Sequence, residues 1–321
     1  MHTRLTEMLG IEHPVMLAGM GGVSYHAIVA AVSEAGGFGT LGAATMASDE
    51  LDREMAAVRS ATRKPFGVDL LAALPERMLD DAHKVVTGGA SLFVAGLGVP
   101  RDVVKILHDG NVLVASMCGK VRHAIAAVEA GCDFVIAQGT EAGGHTGTIA
   151  TMVLTPEIVD IAGGRPVLAA GGIASGRQMA AALALGAAGV WCGSVWLSSE
   201  EDVANQAIKA KFLGATSSDT VRSRTRTGKP ARQLRSAWHE EWEQPGSPAP
   251  LPLPLQPLLV NEAWQRIDAA AAAGHEGALR LESFFVGQVV GSFEQIRPAG
   301  EITRQIVADC EQRITELGAL S

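Results

Sequence analysis

The chain has 321 residues, enough for one large domain or two of ordinary size, and 47% of them are apolar, so a large core can form. Its net charge of −8 argues against a nucleic-acid-binding surface, although a local basic patch is compatible with that value. No apolar run is long enough to span a membrane, and the N-terminal sequence MHTRLTEMLGIEHP lacks the apolar core of a signal peptide.

None of the cysteines belongs to a CxxC pair or to a cluster with histidine at zinc-binding spacing; they are Cys118, Cys132, Cys192 and Cys310. Three of them lie in or beside apolar runs, which is typical of buried, reduced thiols. We therefore expect a cytoplasmic protein without a metal site.

Eight short apolar runs in the first two thirds of the chain predict β-strands. They span residues 13–18, 38–43, 65–71, 91–96, 111–116, 133–138, 166–171 and 189–194. Ala-rich segments with helical spacing lie between most of these runs, and this alternation is typical of βαβ units in a parallel sheet. Eight such units favour an α/β fold of the (β/α)8 TIM barrel type over an open doubly wound sheet. A Rossmann fold is disfavoured because no GxGxxG stretch is followed by an acid at the spacing of a ribose contact.

The rhythm changes after about residue 200, where we predict a smaller, mostly helical inserted domain over residues 201–285. Helices are expected in 200–220 and 261–280. The barrel domain would then comprise residues 1–200 and 286–321.

Two further segments support this division. The Pro-rich run at 243–257 is predicted to be extended, because such a sequence suits neither a helix nor a central strand. The amphipathic pattern at 299–320 predicts a last helix that returns to the barrel.

Active sites of such barrels lie at the carboxyl ends of the strands. Glycine-rich turns follow the seventh and eighth predicted strands, GGIASG at 171–176 and CGS at 192–194. Backbone N–H groups can reach an anion where no side chain intervenes, and helix N-termini add favourable partial charge. The two turns therefore predict a phosphate pocket; the alternative is ordinary strand-to-helix turns that use glycine for tight geometry.

The stretch QGTEAGGHTG at 138–147 places a histidine on a glycine-rich loop after the sixth predicted strand. Gly143 and Gly144 leave room for a flat ligand, with His145 directed toward it. A neutral histidine can take a proton from carbon, and a charged one can return it or stabilise an anion. The alternative is a histidine that only caps the next segment. Glu141 either orients the loop or His145, or it is a solvated loop acid.

Several stretches then match a known pattern in order: RLTEMLGIEHPVMLAGMGG, AVSEAGGFGTLGA, PFGVDLL, QGTEAGGHTG and AAGGIASGRQMAAALALGAAGVWCGSVWL, with TGKPAR at 227–232 beyond the barrel. Together they resemble the nitronate monooxygenase family, formerly called 2-nitropropane dioxygenase, which includes the FMN-dependent enoyl reductases of bacterial fatty-acid synthesis. The resemblance implies a TIM barrel that carries FMN, with a smaller domain over the flavin face.

The resemblance also implies roles for single residues. The FMN phosphate would lie on Gly171, Gly172, Gly193 and Ser194. The flavin ring and its ribityl chain would be contacted by Ala18, Gly19, Met20, Gln138, Gly143 and Gly144, the first three through their backbone. His145 matches the active-site histidine of the family.

Two positions depart from the family pattern. Members often have Asn at the end of the third strand, where this chain has Asp69; a carboxylate near flavin N3 and O4 would change the hydrogen bonds and the local charge. Some relatives have Lys at the end of the fifth strand, where this chain has Ser116–Met117–Cys118.

Three functions follow as alternatives. The first is oxidation of an alkyl nitronate by O₂ with FMN. The second is reduction of an enoyl thioester or other acyl-CoA, in lipid or steroid breakdown, with NADH or NADPH as electron donor. The third is a flavin-binding barrel without catalysis. The basic run VRSRTRTGKPARQLR favours a larger anionic substrate, with a solvated helix face or an interdomain contact as the alternative. We expect no nucleic-acid or membrane partner, and either a monomer or a homodimer.

Overall fold

The structure is a computed structural model that describes residues 1–71, 75–96, 98 and 100–320. Each of the eight predicted runs matches one strand of a parallel sheet, although the fifth strand ends two residues beyond its run: Val15–Leu17 (β1), Gly39–Gly42 (β2), Phe66–Leu71 (β3), Leu92–Gly96 (β4), Leu113–Cys118 (β5), Phe134–Gln138 (β6), Val167–Ala170 (β8) and Gly189–Cys192 (β9). A second, small antiparallel sheet consists of Gly144–His145 (β7), Thr220–Ser223 (β10) and Ala231–Leu234 (β11).

The large sheet closes into a barrel between its first two strands. Its strand order is β1-β9-β8-β6-β5-β4-β3-β2. Phe38, just before β2, donates its N–H to the carbonyl of Val15 (3.0 Å) and accepts from the N–H of Leu17 (2.9 Å). The predicted (β/α)8 barrel is therefore confirmed, and the carboxyl ends of its parallel strands open at one end of the molecule.

Helices join the strands and surround the barrel: Arg4–Leu9 (α1), His26–Glu34 (α2), Ser48–Ala61 (α3), Pro75–Thr87 (α4), Arg101–Asp109 (α5), Val121–Ala130 (α6), Thr151–Ile161 (α7), Gly176–Ala184 (α8), Gln206–Leu213 (α9), Ala237–Trp242 (α10), Leu255–Ala272 (α11), Glu276–Leu281 (α12) and Ala299–Gly318 (α13). The last helix packs against α8 and α2, so the end of the chain rejoins the barrel. Across the described ranges, none of these helices has the combination of length and apolarity that crossing a bilayer requires.

Apolar side chains fill the barrel from its amino end. Alternate strand residues form an interior cluster that includes the buried side chains of Met16, Phe38 and Phe134. Leu5 and Leu9 of α1 belong to the same cluster, so α1 closes the amino end. A larger cluster lies between the sheet and the helices. A ligand can therefore approach the barrel axis from the carboxyl end.

All four cysteines are buried, as predicted. Burial raises the pKa of the Cys118, Cys132 and Cys192 thiols to about 12, so they stay protonated and unreactive near neutral pH.

The segment after the last barrel strand contains a β-ribbon as well as helices. The helix predicted over 200–220 is confined to α9, and the basic run forms the β10–β11 hairpin, which the sequence reading missed. The helix predicted over 261–280 is interrupted after α11, where Gly274 adopts a φ of +82° that ends the helix.

The prediction for 243–257 is wrong in its last three residues. Helix α11 begins at Leu255 and contains Pro257 in its first turn. A proline is tolerated there because the N–H groups of the first turn have no partner within the helix.

Close packing between α2 and β2 yields a test of the barrel. A methyl group built on Gly39 would lie 2.2 Å from the carbonyl oxygen of Val29, so Gly39→Ala forces the helix away from the sheet. We expect this variant to lose about 1–3 kcal/mol of unfolding free energy, measured by urea denaturation. Gly214→Ala is the control, because its methyl group meets nothing closer than the carbonyl of Ala210 at 3.6 Å and should change stability by less than about 0.5 kcal/mol. Equal stabilities for both variants would contradict the packing described here.

Candidate active site

The residues that the sequence assigns to the cofactor lie in the second half of a barrel strand or directly after one. The loop after β1 meets β3, because a methyl group built on Gly19 would lie 2.2 Å from Cβ of Asp69. The same loop meets the turn after β9, where a methyl group on Gly193 would lie 3.4 Å from Sδ of Met20. Residues from β1, β3 and β9 therefore share the mouth of the barrel.

A residue beyond the inserted segment links two further parts of the mouth. The N–H of Gly287 donates to Oγ of Ser194 (2.7 Å), after β9. A methyl group built on Gly143, after β6, would lie 2.9 Å from the same nitrogen. Sequence reasoning missed Gly287, since nothing local in GQVVG marks it as part of a site.

The turn after β8 has the shape of an anion cradle. Gly171 and Gly172 adopt φ values of +97° and +72°, which side chains other than glycine rarely allow. Among the described residues, no hydrogen bond engages the N–H groups of Gly172, Gly193 or Ser194. The N–H of Ala174, in contrast, donates to Oε1 of the nearby Gln178. These free donors and bare backbones fit a phosphate group.

Glu141 holds the loop after β6 in place. Its carboxylate accepts hydrogen bonds from the N–H (3.0 Å) and the hydroxyl (3.0 Å) of Thr151, at the start of α7. Its carbonyl accepts from the N–H of Gln288 (2.9 Å). Of the two alternatives for Glu141, the geometry supports the one in which it orients the loop and contradicts the solvated acid.

His145 lies in β7, paired with Ala231 of β11, and its ring contacts a threonine. Nε2 lies 2.9 Å from Oγ1 of Thr227, whose hydroxyl donates to the carbonyl of Lys229 (3.0 Å). A threonine hydroxyl has one hydrogen, so Nε2 donates to Thr227 in the arrangement where that hydrogen goes to the Lys229 carbonyl. Nδ1 then keeps its lone pair and can accept a proton. Thr227 is the first residue of TGKPAR, but sequence reasoning gave it no role.

The surroundings keep His145 neutral. Partial burial of the ring lowers its pKa from the ordinary 6.5, and the positive charge of Lys229 lowers it further. A lowered pKa means that the neutral base persists as pH falls below 6.5, until the pH reaches the shifted value. His145 is therefore suited to accept a proton rather than to carry a permanent charge.

An arginine next to Thr227 joins the inserted segment to the site. The guanidinium of Arg226 lies 4.3 Å from the ring centroid of Trp264 in α11 and also stacks on Phe284 (5.5 Å) and Phe285 (4.8 Å). It donates to the carbonyl of Ser283 (3.1 Å). Burial lowers its pKa to about 10, so the guanidinium remains charged at neutral pH.

The basic run therefore divides into two groups. Arg222 and Arg232 donate to the carbonyls of Thr146 and Thr140, and Arg226 binds the aromatic cluster just described. For Arg222 and Arg232 the geometry supports a contact between the inserted segment and the barrel, whereas the contacts of Arg226 lie within the inserted segment. Arg224 and Lys229 are exposed.

Asp69 differs from the charged group that the sequence suggested. Its side chain is partly exposed at the mouth, but the surrounding atoms remove most of its solvation and raise its pKa well above the usual range. A protonated carboxyl can donate one hydrogen bond as well as accept, which a carboxylate cannot.

The Thr227 contact gives a testable prediction. Thr227→Val leaves the Nε2–H of His145 without its acceptor, so we expect the share of the Nδ1–H tautomer to rise. Nitrogen-15 NMR of the histidine rings measures the tautomer directly. Thr227→Ser keeps a hydroxyl and should retain the original tautomer. The assignment is wrong if the Val variant has an unchanged spectrum.

Comparisons with known proteins agree with this architecture. The sequence model of the family described as nitronate monooxygenase matches residues 2–90 and 81–309. A Mycobacterium tuberculosis protein named as a monooxygenase is 42% identical, and the alignment covers 100% of this chain and 99% of that protein. The (3aS,4S,5R,7aS)-5-hydroxy-7a-methyl-1-oxo-octahydro-1H-indene-4-carboxyl-CoA dehydrogenase of Rhodococcus jostii is 33% identical, with the same coverage.

The structure of nitroalkane oxidase from Streptomyces ansochromogenes superposes with a TM-score of 0.85 and 28% identity, covering 98% of this chain and 99% of that one. The chain therefore belongs to the nitronate monooxygenase family and is an oxidoreductase.

Proposed function

We propose that this protein binds FMN at the mouth of the barrel and oxidises an alkyl nitronate with O₂, with His145 beside the reacting carbon. The observation that carries the proposal is the contact of His145: its Nε2 lies 2.9 Å from the Thr227 hydroxyl, in surroundings that lower the pKa of the ring, and within the described ranges no hydrogen bond engages its Nδ1. It lies on the same loop as Gly143, next to the anion cradle.

The residues of the mouth suit FMN. The cradle of Gly171, Gly172, Gly193 and Ser194 would hold the phosphate. The backbone of Ala18, Gly19 and Met20 would lie along the flavin ring, with Asp69, Gln138, Gly143 and Gly144 around the ring and the ribityl chain. When bound, FMN supplies a two-electron acceptor that O₂ can reoxidise.

In this proposal His145 accepts the proton and lies beside the substrate anion. Nδ1 accepts a proton from the carbon next to a nitro group, which yields the nitronate, or faces a nitronate already formed. The charge of Lys229 favours an anion beside the ring. Overall, two nitronate anions and one O₂ give two carbonyl compounds and two nitrite ions. In each nitronate the carbon–nitrogen bond breaks, and a carbon–oxygen double bond forms.

A second reaction is favoured by an apolar surface near the site. The Pro-rich segment packs on the turn that holds His145, since a methyl group on Gly228 would lie 2.3 Å from the carbonyl of Leu251. This segment and the start of α11 expose a row of leucines: Leu251, Leu253, Leu255, Leu258 and Leu259. Such a surface suits an acyl chain. The second candidate is therefore reduction of an enoyl thioester, in which a hydride from NADH or NADPH and a proton add across the carbon–carbon double bond.

The phosphate assignment is tested at Gly193. A Val side chain there would occupy the cradle, so Gly193→Val should be purified without FMN, as judged from the visible spectrum. Gly214→Ala, at the end of α9, is the control and should retain the cofactor. An FMN-loaded Gly193→Val protein would refute the assignment.

The reaction is tested anaerobically with the purified protein. We expect an alkyl nitronate to bleach the flavin band without any nicotinamide, and O₂ to restore it. His145→Ala should lower turnover per bound flavin by about 100-fold or more, whereas His108→Ala, at the far end of α5, should not.

The other outcomes identify the alternatives. Bleaching by NADH or NADPH but not by nitronate would establish the reductase and overturn the first proposal. A flavin band that none of these compounds changes would indicate a barrel that binds flavin without catalysis.

A further inference from the structure

Three exposed cations lie on the rim of the barrel mouth. Lys120 and Arg122 come from the turn after β5 and the first turn of α6, and Lys229 comes from the β10–β11 hairpin. Within the described ranges, the ion pairs to carboxylates engage other lysines and arginines, and none includes these three.

Backbone contacts place the turn that carries Lys120 and the hairpin that carries Lys229 beside His145. A methyl group built on Gly147, two residues after His145, would lie 2.6 Å from the carbonyl of Gly119, so the turn with Lys120 packs on the histidine loop. On the other side, the carbonyl of Lys229 accepts from Thr227, which holds His145.

The three positive charges also affect the same residue, His123. Besides burial, the positive charges of Arg122, Lys120 and Lys229 all lower the pKa of the His123 ring. This shared influence agrees with the backbone contacts that bring the turn after β5 and the β10–β11 hairpin beside the His145 loop. The rim defined by Lys120, Arg122 and Lys229 is thus a single positive surface, although its members lie far apart in sequence.

We propose that this rim binds the phosphate groups of a nucleotide-bearing cosubstrate, either a nicotinamide dinucleotide or a coenzyme A thioester, whose reactive end reaches His145. The Arg122 guanidinium offers paired donors that match phosphate oxygens, and the lysines add point charges. The start of α6 contributes further favourable partial charge. The inference rests on the barrel mouth being the active site, and it goes beyond nitronate oxidation, since a nitronate has no phosphate for the rim to hold.

The experiment measures nucleotide binding to the FMN-loaded protein by titration calorimetry. The probes are NADPH, NADH and coenzyme A. In the wild-type protein we expect at least one to bind, with an affinity that falls as salt is raised. The Lys120→Ala/Arg122→Ala double variant should raise its dissociation constant about tenfold or more, because two charge-assisted contacts are lost.

A matched double variant controls for the change in net charge. Arg53→Ala/Lys105→Ala removes the same charge from exposed ion pairs on α3 and α5 and should leave the dissociation constant within about twofold. Binding of NADPH or NADH identifies the ligand as the electron donor, and binding of coenzyme A alone identifies it as the acyl substrate. Thermal melting of each variant checks that it is folded.

Failure of this inference can be separated from failure of the proposed reaction. Equal dissociation constants in the two double variants, or no binding of any probe at millimolar concentration, would overturn the rim as a nucleotide site. Nitronate turnover by the wild-type protein would then still stand. Conversely, a rim-dependent nucleotide affinity in a protein that does not consume nitronate would overturn only the nitronate reaction.

Discussion

Closure of the barrel at Phe38 is the constraint on which the rest of the structure depends. Its two backbone hydrogen bonds join β1 to the start of β2 and turn an open parallel sheet into a ring. Only in the ring do the loops after β1, β3, β6, β8 and β9 face a common axis. The amino end of that ring is filled by apolar side chains, so the glycine-rich loops at the carboxyl end form the part of the barrel that can hold a ligand.

Features encoded by short stretches of sequence could be predicted. Seven of the eight barrel strands lie within the predicted apolar runs, and β5 overlaps its run but extends two residues beyond it, because a strand buried on both faces has a local signature. The glycine turns at 171–172 and 193 follow from the fold. Thr227 could not be assigned in this way, since it lies 82 positions from His145 and the contact exists only when β11 pairs with β7. Gly287 could not be predicted for the same reason, because its contact with Ser194 also joins residues far apart in sequence.

Charge alone was a poor guide to the role of the basic residues. Arg226 and Arg232 belong to the same run as Arg224 and Lys229, but the first two are used inside the protein and the last two face solvent. The sequence shows how many cations the run contains, whereas the folded contacts decide which of them remain available to a ligand: Arg232 lies in β11, and Arg224, Arg226 and Lys229 lie in the turn between β10 and β11. Asp69 is a second example, because the loss of solvation raises the pKa of its carboxyl and so opposes the charge that the sequence suggests.

The position of His145 in a shared sheet has a consequence for how the protein loses activity. His145 belongs to a loop of the barrel, but its strand partner Ala231 and its hydrogen-bond partner Thr227 both come from the inserted segment. Within that segment, Arg226 stacks on Trp264 and Phe285. Local opening of that segment would release the imidazole while every barrel strand remained paired. In the proposed reaction, activity would thus depend on the stability of a small peripheral unit, and heat or denaturant would abolish it before the barrel unfolds.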